Sequence, residues 1–191
     1  MISDFIERVK IGGLARTNRY LVTIGQPNGF VYPMETRLAG LFCDGAQLPG
    51  MNIDSTPHKV FGESREMPYG ISYNPLNLNF YVDADMKLRK FFDKWFEKIV
   101  DPVSKSISYY DEYTTTITIE VLDVTDRVTY RVELIEAWPK SIGEIMMGYE
   151  SRDPMKLPVT FQYKNWRHKD LSGDTGYTGV LADGSGFTGV V

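Results

Sequence analysis

One segment of the chain carries apolar residues at helical spacing. Between Asp85 and Val100, apolar side chains recur three and four positions apart, which places them on one face of a helix, and charged residues fill the other face. Asp83 or Asp85 can cap the helix, and Asp101-Pro102 ends it, because the residue before proline avoids helical backbone. The predicted core face of this helix consists of Leu88, Phe91, Phe92, Trp95, Phe96 and Ile99.

Alternation of apolar and polar residues predicts strands elsewhere. The predicted strands are 20–24, 116–121, 128–134 and 159–163, with a turn at 123–127, an end at Trp138-Pro139 and a further strand at 37–43. A short helix over residues 2–9, capped by Ser3, precedes them. The chain is therefore predicted to be mainly β with a flanking α-helix.

The strongest extended signal runs from Met51 to Val82. Alternating residues at 76–82 follow a stretch, 59–73, that mixes β-forming and turn residues. This pattern predicts a long, exposed hairpin or a bent pair of strands, whose tip lies around Gly62 to Gly70.

The composition changes after Lys169. Six glycines and no lysine or arginine follow Leu171. We therefore divide the chain into a domain of residues 1–170 and a glycine-rich C-terminal extension of residues 171–191. The extension repeats a short motif with one aromatic residue each time, and Tyr177 and Phe187 are predicted to anchor it on a neighbouring subunit.

Composition excludes several classes of protein. The 191 residues are 42% hydrophobic and 24% charged, which is typical of a globular domain and excludes a collagenous or wholly disordered chain. No apolar run approaches the roughly 20 residues of a membrane-spanning helix, so we expect no membrane partner. The net charge of −4 disfavours a protein that binds nucleic acid by its phosphates.

The residues that carry chemistry are few. Cys43 is the single cysteine, and His58 and His168 are the two histidines; none lies in a pattern that orients a nucleophile and a base. Residues 184–189 match the letters of a dinucleotide-binding glycine motif, but they lack the helix that should follow. We therefore expect no catalytic residue, cofactor or metal, and the sequence favours a binding or structural role.

Several local patterns, in order, resemble the tail tube proteins of contractile-tailed, T4-like bacteriophages. They are the opening strand at 14–24, the small-residue turn at 45–50, the hairpin at 60–80, the motif at 137–144 and the closing strand to Trp166. The motif Ala-Trp-Pro-Lys-Ser-Ile-Gly-Glu at 137–144 is the most specific of these.

The resemblance implies a fold and a role. The fold would be two antiparallel sheets forming a small barrel or sandwich, with a long hairpin that joins an inter-subunit β-barrel. Six copies would form a ring, and rings would stack into the tube through which DNA leaves the capsid without specific binding. The protein would assemble in the host cytoplasm, become part of the virion, and contact the tail sheath and baseplate. The ring-forming hairpin residues would be Val60, Gly62, Glu63, Arg65, Tyr69, Leu76, Leu78 and Phe80.

A conduit for a polyanion should not bind it, so we expect a net acidic channel wall. The candidate channel-facing acids are Glu63, Glu66 and Glu120. Two alternatives with a similar fold stay open. One is a baseplate protein that initiates the tube, and the other is the tube protein of a related contractile injection device. A monomeric ligand-binding barrel and a hydrolase using Cys43 are the remaining alternatives.

Overall fold

The structure, a computed structural model, describes residues 2–4, 6–7, 13–30, 32–59, 61–150, 152–169, 179–180 and 186–187. Residues 2–4 and 6–7 are helical, as predicted. The strands are β1 (Tyr20–Ile24), β2 (Cys43–Ala46), β3 (Met51–His58), β4 (Arg65–Tyr73), β5 (Leu76–Tyr81), β6 (Thr115–Leu122), β7 (Val128–Ile142), β8 (Lys156–Gln162), β9 (Asn165–His168), β10 (Gly179–Val180) and β11 (Gly186–Phe187). The helices are α1 (Pro33–Leu41), α2 (Lys87–Ile99) and α3 (Tyr110–Tyr113).

The main sheet is antiparallel and is organised around the long strand β7. Its strand order is β1-β6-β7-β8-β5-β2, and β9 also pairs with β7. The first part of β7 pairs with β6 and β9, and the last part pairs with β8. Glu136 lies where the register with β6 shifts, and it adopts a left-handed backbone conformation with φ of 55°. Strand β7 thus joins the two ends of one antiparallel sheet, and the mainly β fold is confirmed.

Strand β7 is longer than the sequence indicated. We expected it to end at Trp138-Pro139, but it continues to Ile142. Proline is tolerated there because the register with β8 shifts between Pro139 and Ser141, and a bulge interrupts the regular ladder of hydrogen bonds.

The two end strands of the main sheet approach each other without closing a barrel among the described residues. The Tyr20 hydroxyl on β1 donates a hydrogen bond to the backbone oxygen of Cys43 on β2, at 3.1 Å. Burial of this hydroxyl raises the pKa of Tyr20 to about 12. A side chain thus connects the ends of the curled sheet where a backbone ladder would close a barrel.

Helix α2 fills the concave side of the sheet, as its apolar stripe predicts. Leu88, Phe91, Phe92, Trp95 and Ile99 are buried, and Phe96 is half-buried. Trp95 packs against Phe161 of β8 with ring centres 6.2 Å apart. Its indole N–H donates a hydrogen bond to the backbone carbonyl oxygen of Tyr113 at 2.9 Å. The helix begins at Lys87, and the Asp83 carboxylate accepts the Leu88 backbone N–H at 3.2 Å. Neither predicted aspartate occupies the N-cap position, which is Met86, but the Asp83 carboxylate still satisfies one backbone N–H of the first turn.

The strand predicted at 37–43 is wrong. Helix α1 covers Pro33–Leu41, and strand β2 begins only at Cys43. A proline in the first turn favours helix initiation there. The helix packs close to β1, because a Cβ atom on Gly40 would lie 2.4 Å from the Val22 oxygen. The short apolar run at 38–43 is ambiguous between helix and strand, and packing against β1 selects the helix.

The predicted hairpin is real, but its boundaries differ. Strands β3 and β4 form a separate two-stranded sheet, and its tip spans 59–64 rather than 62–70. Leu76, Leu78 and Phe80 do not belong to the hairpin. They lie on β5 in the main sheet, where their side chains are fully buried in the core. Pro75 separates the two strands, since proline lacks the N–H that a continuous ladder needs.

Three of the predicted site residues lie wholly or partly outside the described residues. Val60 and Tyr177 lie outside the described residues. Phe187 lies in β11, whose backbone pairs with Gly179 of β10, and its side chain lies outside the description. No helix in the described part of the chain is long and apolar enough to cross a lipid bilayer.

Replacing Leu78 with Asp should prevent folding. Leu78 has no exposed surface, so the substitution buries a charge without a partner, which costs several kcal/mol. Asn79→Asp is the matched control, because the adjacent side chain points to the opposite, exposed face of β5. Circular dichroism should show a folded Asn79→Asp variant and an unfolded Leu78→Asp variant. Two equally stable variants would contradict the assignment of β5 to the core.

Replacing Gly40 with Ala should destabilise the chain by roughly 1–3 kcal/mol through overpacking against the Val22 oxygen, although alanine favours helix by about 1 kcal/mol. Gly148→Ala is the control, because a Cβ atom there meets nothing within 4 Å. Urea denaturation measures both free energies of unfolding. A Gly40→Ala variant as stable as the control would show that α1 does not pack on β1 at this distance.

Candidate functional site: the projecting hairpin

The β3–β4 hairpin projects from the main sheet. Its strands pair from Met51 with Tyr73 at the base to His58 with Arg65 near the tip, so the ladder is about 27 Å long. Neither strand pairs with another strand of the described chain. Each outer edge therefore presents a row of unpaired backbone N–H and C=O groups, which can pair with another strand.

The strand register assigns the hairpin residues to two faces, because alternate residues point to opposite sides and paired residues share a side. We call them the Ile53 face and the Asp54 face. The Ile53 face carries Met51, Ile53, Ser55, Pro57, Glu66, Pro68, Ile71 and Tyr73. The Asp54 face carries Asn52, Asp54, Thr56, His58, Arg65, Met67, Gly70 and Ser72.

The base of the Ile53 face is apolar and largely exposed. Met51, Ile53 and Ile71 are 50%, 64% and 58% exposed. Tyr73 is the exception, because it packs on Tyr163 of the subunit core with ring centres 6.0 Å apart. Exposed apolar side chains grouped on one face are typical of a surface that is covered in an assembly. Met51-x-Ile53 and Ile71-x-Tyr73 have strand spacing, but the spacing alone does not indicate that these residues share one exposed face.

A bulge bends the hairpin at its midpoint. The register shifts between Asp54 and Ser55, so Tyr69 is the extra residue on β4. Its side chain is 73% exposed. A bulge increases the local twist of a strand and redirects a side chain, so Tyr69 is available for contact with a partner.

Side-chain hydrogen bonds cross the hairpin on both faces. The Ser72 hydroxyl donates to the Asp54 carboxylate at 3.2 Å on one face, and the Ser55 hydroxyl donates to the Glu66 carboxylate at 2.9 Å on the other. These cross-strand bonds fix the two strands relative to each other.

The structure brings together only part of the predicted ring-forming set. Arg65 and Tyr69 lie on β4, and Gly62 and Glu63 lie in the tip. The tip turns at Gly62, whose φ of 74° favours glycine.

The three candidate channel acids are not on one surface. Glu63 is in the tip and Glu66 is on the Ile53 face. Glu120 lies on β6 in the main sheet, where its side chain is 14% exposed and accepts a hydrogen bond from Arg131 at 2.6 Å. The charge of Glu120 is thus already compensated within the subunit.

The geometry around Cys43 does not resemble an activated nucleophile. Burial raises the pKa of the Cys43 thiol to about 11, so the thiol is protonated at neutral pH. His168 stacks on Tyr130 with ring centres 4.7 Å apart, and His58 lies on the hairpin. Within the described ranges, no group of three or more His, Cys, Asp or Glu residues is placed to hold a metal ion.

A second exposed apolar group lies in the loop before β8. Met146, Met147 and Tyr149 are almost fully exposed there. They border an open groove that also includes Tyr81 and Lys156. An isolated Met-Met pair in a loop has no periodicity, so the sequence does not indicate its role.

Two solved structures illustrate the fold that this chain shares. A chain in the 6-fold symmetrised baseplate of the anti-feeding prophage matches with a TM-score of 0.64 and 14% sequence identity, over 83% of this chain and 97% of that one. A chain in the extended sheath-tube complex of an extracellular contractile injection system, PVC, matches with a TM-score of 0.61 and 13% identity, over 86% and 97%. These likenesses confirm the fold.

Sequence comparison identifies the family. The tail tube protein of Serratia phage KSP90 is 24% identical over 143 residues, which cover 74% of this chain and 81% of the relative. A family profile described as phage tail tube protein matches residues 15–169, which include the main sheet, helix α2 and the projecting hairpin. This chain therefore belongs to the phage tail tube protein family.

Proposed function

We propose that six copies of this chain form a ring in which the hairpins join into one inter-subunit β-barrel, and that rings stack into a tail tube. The observation that carries the proposal is the projecting hairpin, which has two unpaired edges and an exposed apolar face. A lone two-stranded sheet of this kind is marginal in water. Pairing the edge of one hairpin with that of the next satisfies the backbone groups of both.

A cyclic arrangement gives both outer edges of every hairpin a strand to pair with. Each subunit contributes at least the two hairpin strands, so six subunits contribute twelve or more, which is more than the small barrels that side chains fill. A head-to-tail contact repeated around a ring leaves no free edge. The barrel would then enclose a water-filled bore.

Membership of the tail tube family supports a role for the bore. We propose that it conducts DNA during ejection, that the protein assembles in the host cytoplasm and becomes part of the virion, and that tail sheath and baseplate proteins surround it. The exposed group at Met146, Met147 and Tyr149 lies outside the hairpin and is available for such contacts.

Tube initiation at the baseplate is the second candidate function. The observation that favours it is the glycine-rich extension at 171–191, which lies beyond the residues matched by the family profile. An extension of this kind could connect the first ring to a different neighbour. The tube of a related contractile injection device stays an alternative, because a chain of the PVC sheath-tube complex shares this fold.

Replacing Ile53 with Asp should abolish ring formation while the subunit stays folded. Full burial of an isoleucine stabilises an interface by about 1.5–3 kcal/mol, repeated at every contact, and a buried aspartate reverses that contribution. Val103→Asp is the matched control, because it places the same charge at an exposed apolar position outside the hairpin. Sizing chromatography and negative-stain images measure assembly. Normal tubes from the Ile53→Asp variant would contradict the proposal.

Truncation after Leu171 should leave the melting temperature of the subunit nearly unchanged and weaken ring stacking or attachment to adjoining tail parts. The reason is that a glycine-rich segment has little cause to fold on its own and gains order from a neighbour. Tyr177→Ala and Phe187→Ala, in the full-length chain, test the two anchors separately. A drop in unfolding free energy of several kcal/mol with normal assembly would place the extension in the subunit core instead.

A further inference from the structure

We infer that the Asp54 face of the hairpin lines the bore, and that Asp54, by balancing Arg65, keeps the wall from binding a polyanionic cargo. The inference rests on the proposed ring and goes beyond it by assigning the wall residues and their charge. It also replaces the expectation of an acidic wall with that of a balanced one.

The direction of the two faces follows from the base of the hairpin. Tyr73 belongs to the Ile53 face and packs on Tyr163 in the core of its own subunit. The Ile53 face is therefore the one on the side of the subunit body. In a ring whose hairpins form the inner barrel, the bodies lie outside that barrel, so the face opposite Tyr73 points into the bore.

Solvation favours the same direction. Met51, Ile53 and Ile71 are at least half exposed in the single subunit. A second copy that covers them removes apolar surface from water, which stabilises the assembly. The Asp54 face instead carries mainly amide, hydroxyl and charged groups, which keep their hydration in a water-filled bore.

The charges on the Asp54 face compensate each other. Asp54 and Arg65 carry opposite charges, and Arg65 pairs with His58, four residues along β3 from Asp54. Six copies would give two rings of opposite charge about 13 Å apart along the strands. In the tip, Lys59 and Glu63 also carry opposite charges. Glu66, on the Ile53 face, contributes no charge to the bore wall.

The test compares two variants that each remove one hairpin carboxylate. Asp54→Asn leaves the arginine ring uncompensated, whereas Glu66→Gln changes only the outer face. The pair is matched because each carboxylate accepts one serine hydroxyl across the hairpin, at 3.2 Å and 2.9 Å. Assembled tubes are incubated with a short fluorescent single-stranded DNA at low salt and treated with a nuclease too large for the bore, and the protected DNA is measured.

The expected result is at least about tenfold more protected DNA in Asp54→Asn tubes than in wild-type tubes, with a steep loss as salt rises, and no change in Glu66→Gln tubes. Equal retention by Asp54→Asn and Glu66→Gln tubes would show that the effect does not depend on the face, and it would overturn the inference. No retention by either variant would overturn the proposed charge balance. A wild-type chain that forms no rings would overturn the proposed function itself, and this inference with it.

Adjacent cysteines test the direction of the faces without DNA. Ser55 and Thr56 are both exposed in the single subunit and point to opposite faces. In a Cys43→Ala background, Ser55→Cys and Thr56→Cys should react equally with a small maleimide as monomers. In assembled tubes, Thr56→Cys should keep reacting and Ser55→Cys should be protected. The opposite pattern in well-formed tubes would overturn the inference while leaving the ring proposal standing.

Discussion

The architecture depends on the need of every backbone N–H and C=O group for a hydrogen-bond partner. In the main sheet this need is met within one chain, with β7 serving two sets of neighbours along its length. In the β3–β4 hairpin, the described residues meet it on the inner edges only. The outer edges are about 27 Å long, and a strand of a second copy can pair with them, which is the contact on which the proposed tube depends.

The core anchors the base of the hairpin. Helix α2 packs five buried side chains on the main sheet, and β5, which follows the hairpin directly, is buried within that sheet. The Tyr73–Tyr163 contact joins the hairpin base to the core. A rigid base matters for assembly, because each ring contact then needs less ordering of the chain and retains more of its binding free energy.

Sequence patterns predicted the parts of the fold that one strong periodicity determines. The stripe on α2 and the alternation in β1, β6 and β8 are confirmed. Alternation at 76–80 predicted a strand correctly, but it could not show that this strand belongs to the core rather than the hairpin. Helix α1 was missed because a short apolar run suits helix and strand alike. The exposed face at Met51, Ile53 and Ile71 was missed because its meaning depends on register, which one strand alone does not reveal.

Hydrogen exchange of the hairpin amides, compared between monomer and assembled rings, tests the central claim most directly. The outward N–H groups of β3 and β4 have no strand partner in the described chain, so in the monomer they should exchange almost as fast as an unstructured peptide. In assembled rings they should become protected along the whole edge, because each then donates to a neighbouring strand. Rings that form while these amides keep exchanging at the monomer rate would contradict an assembly built on hairpin pairing.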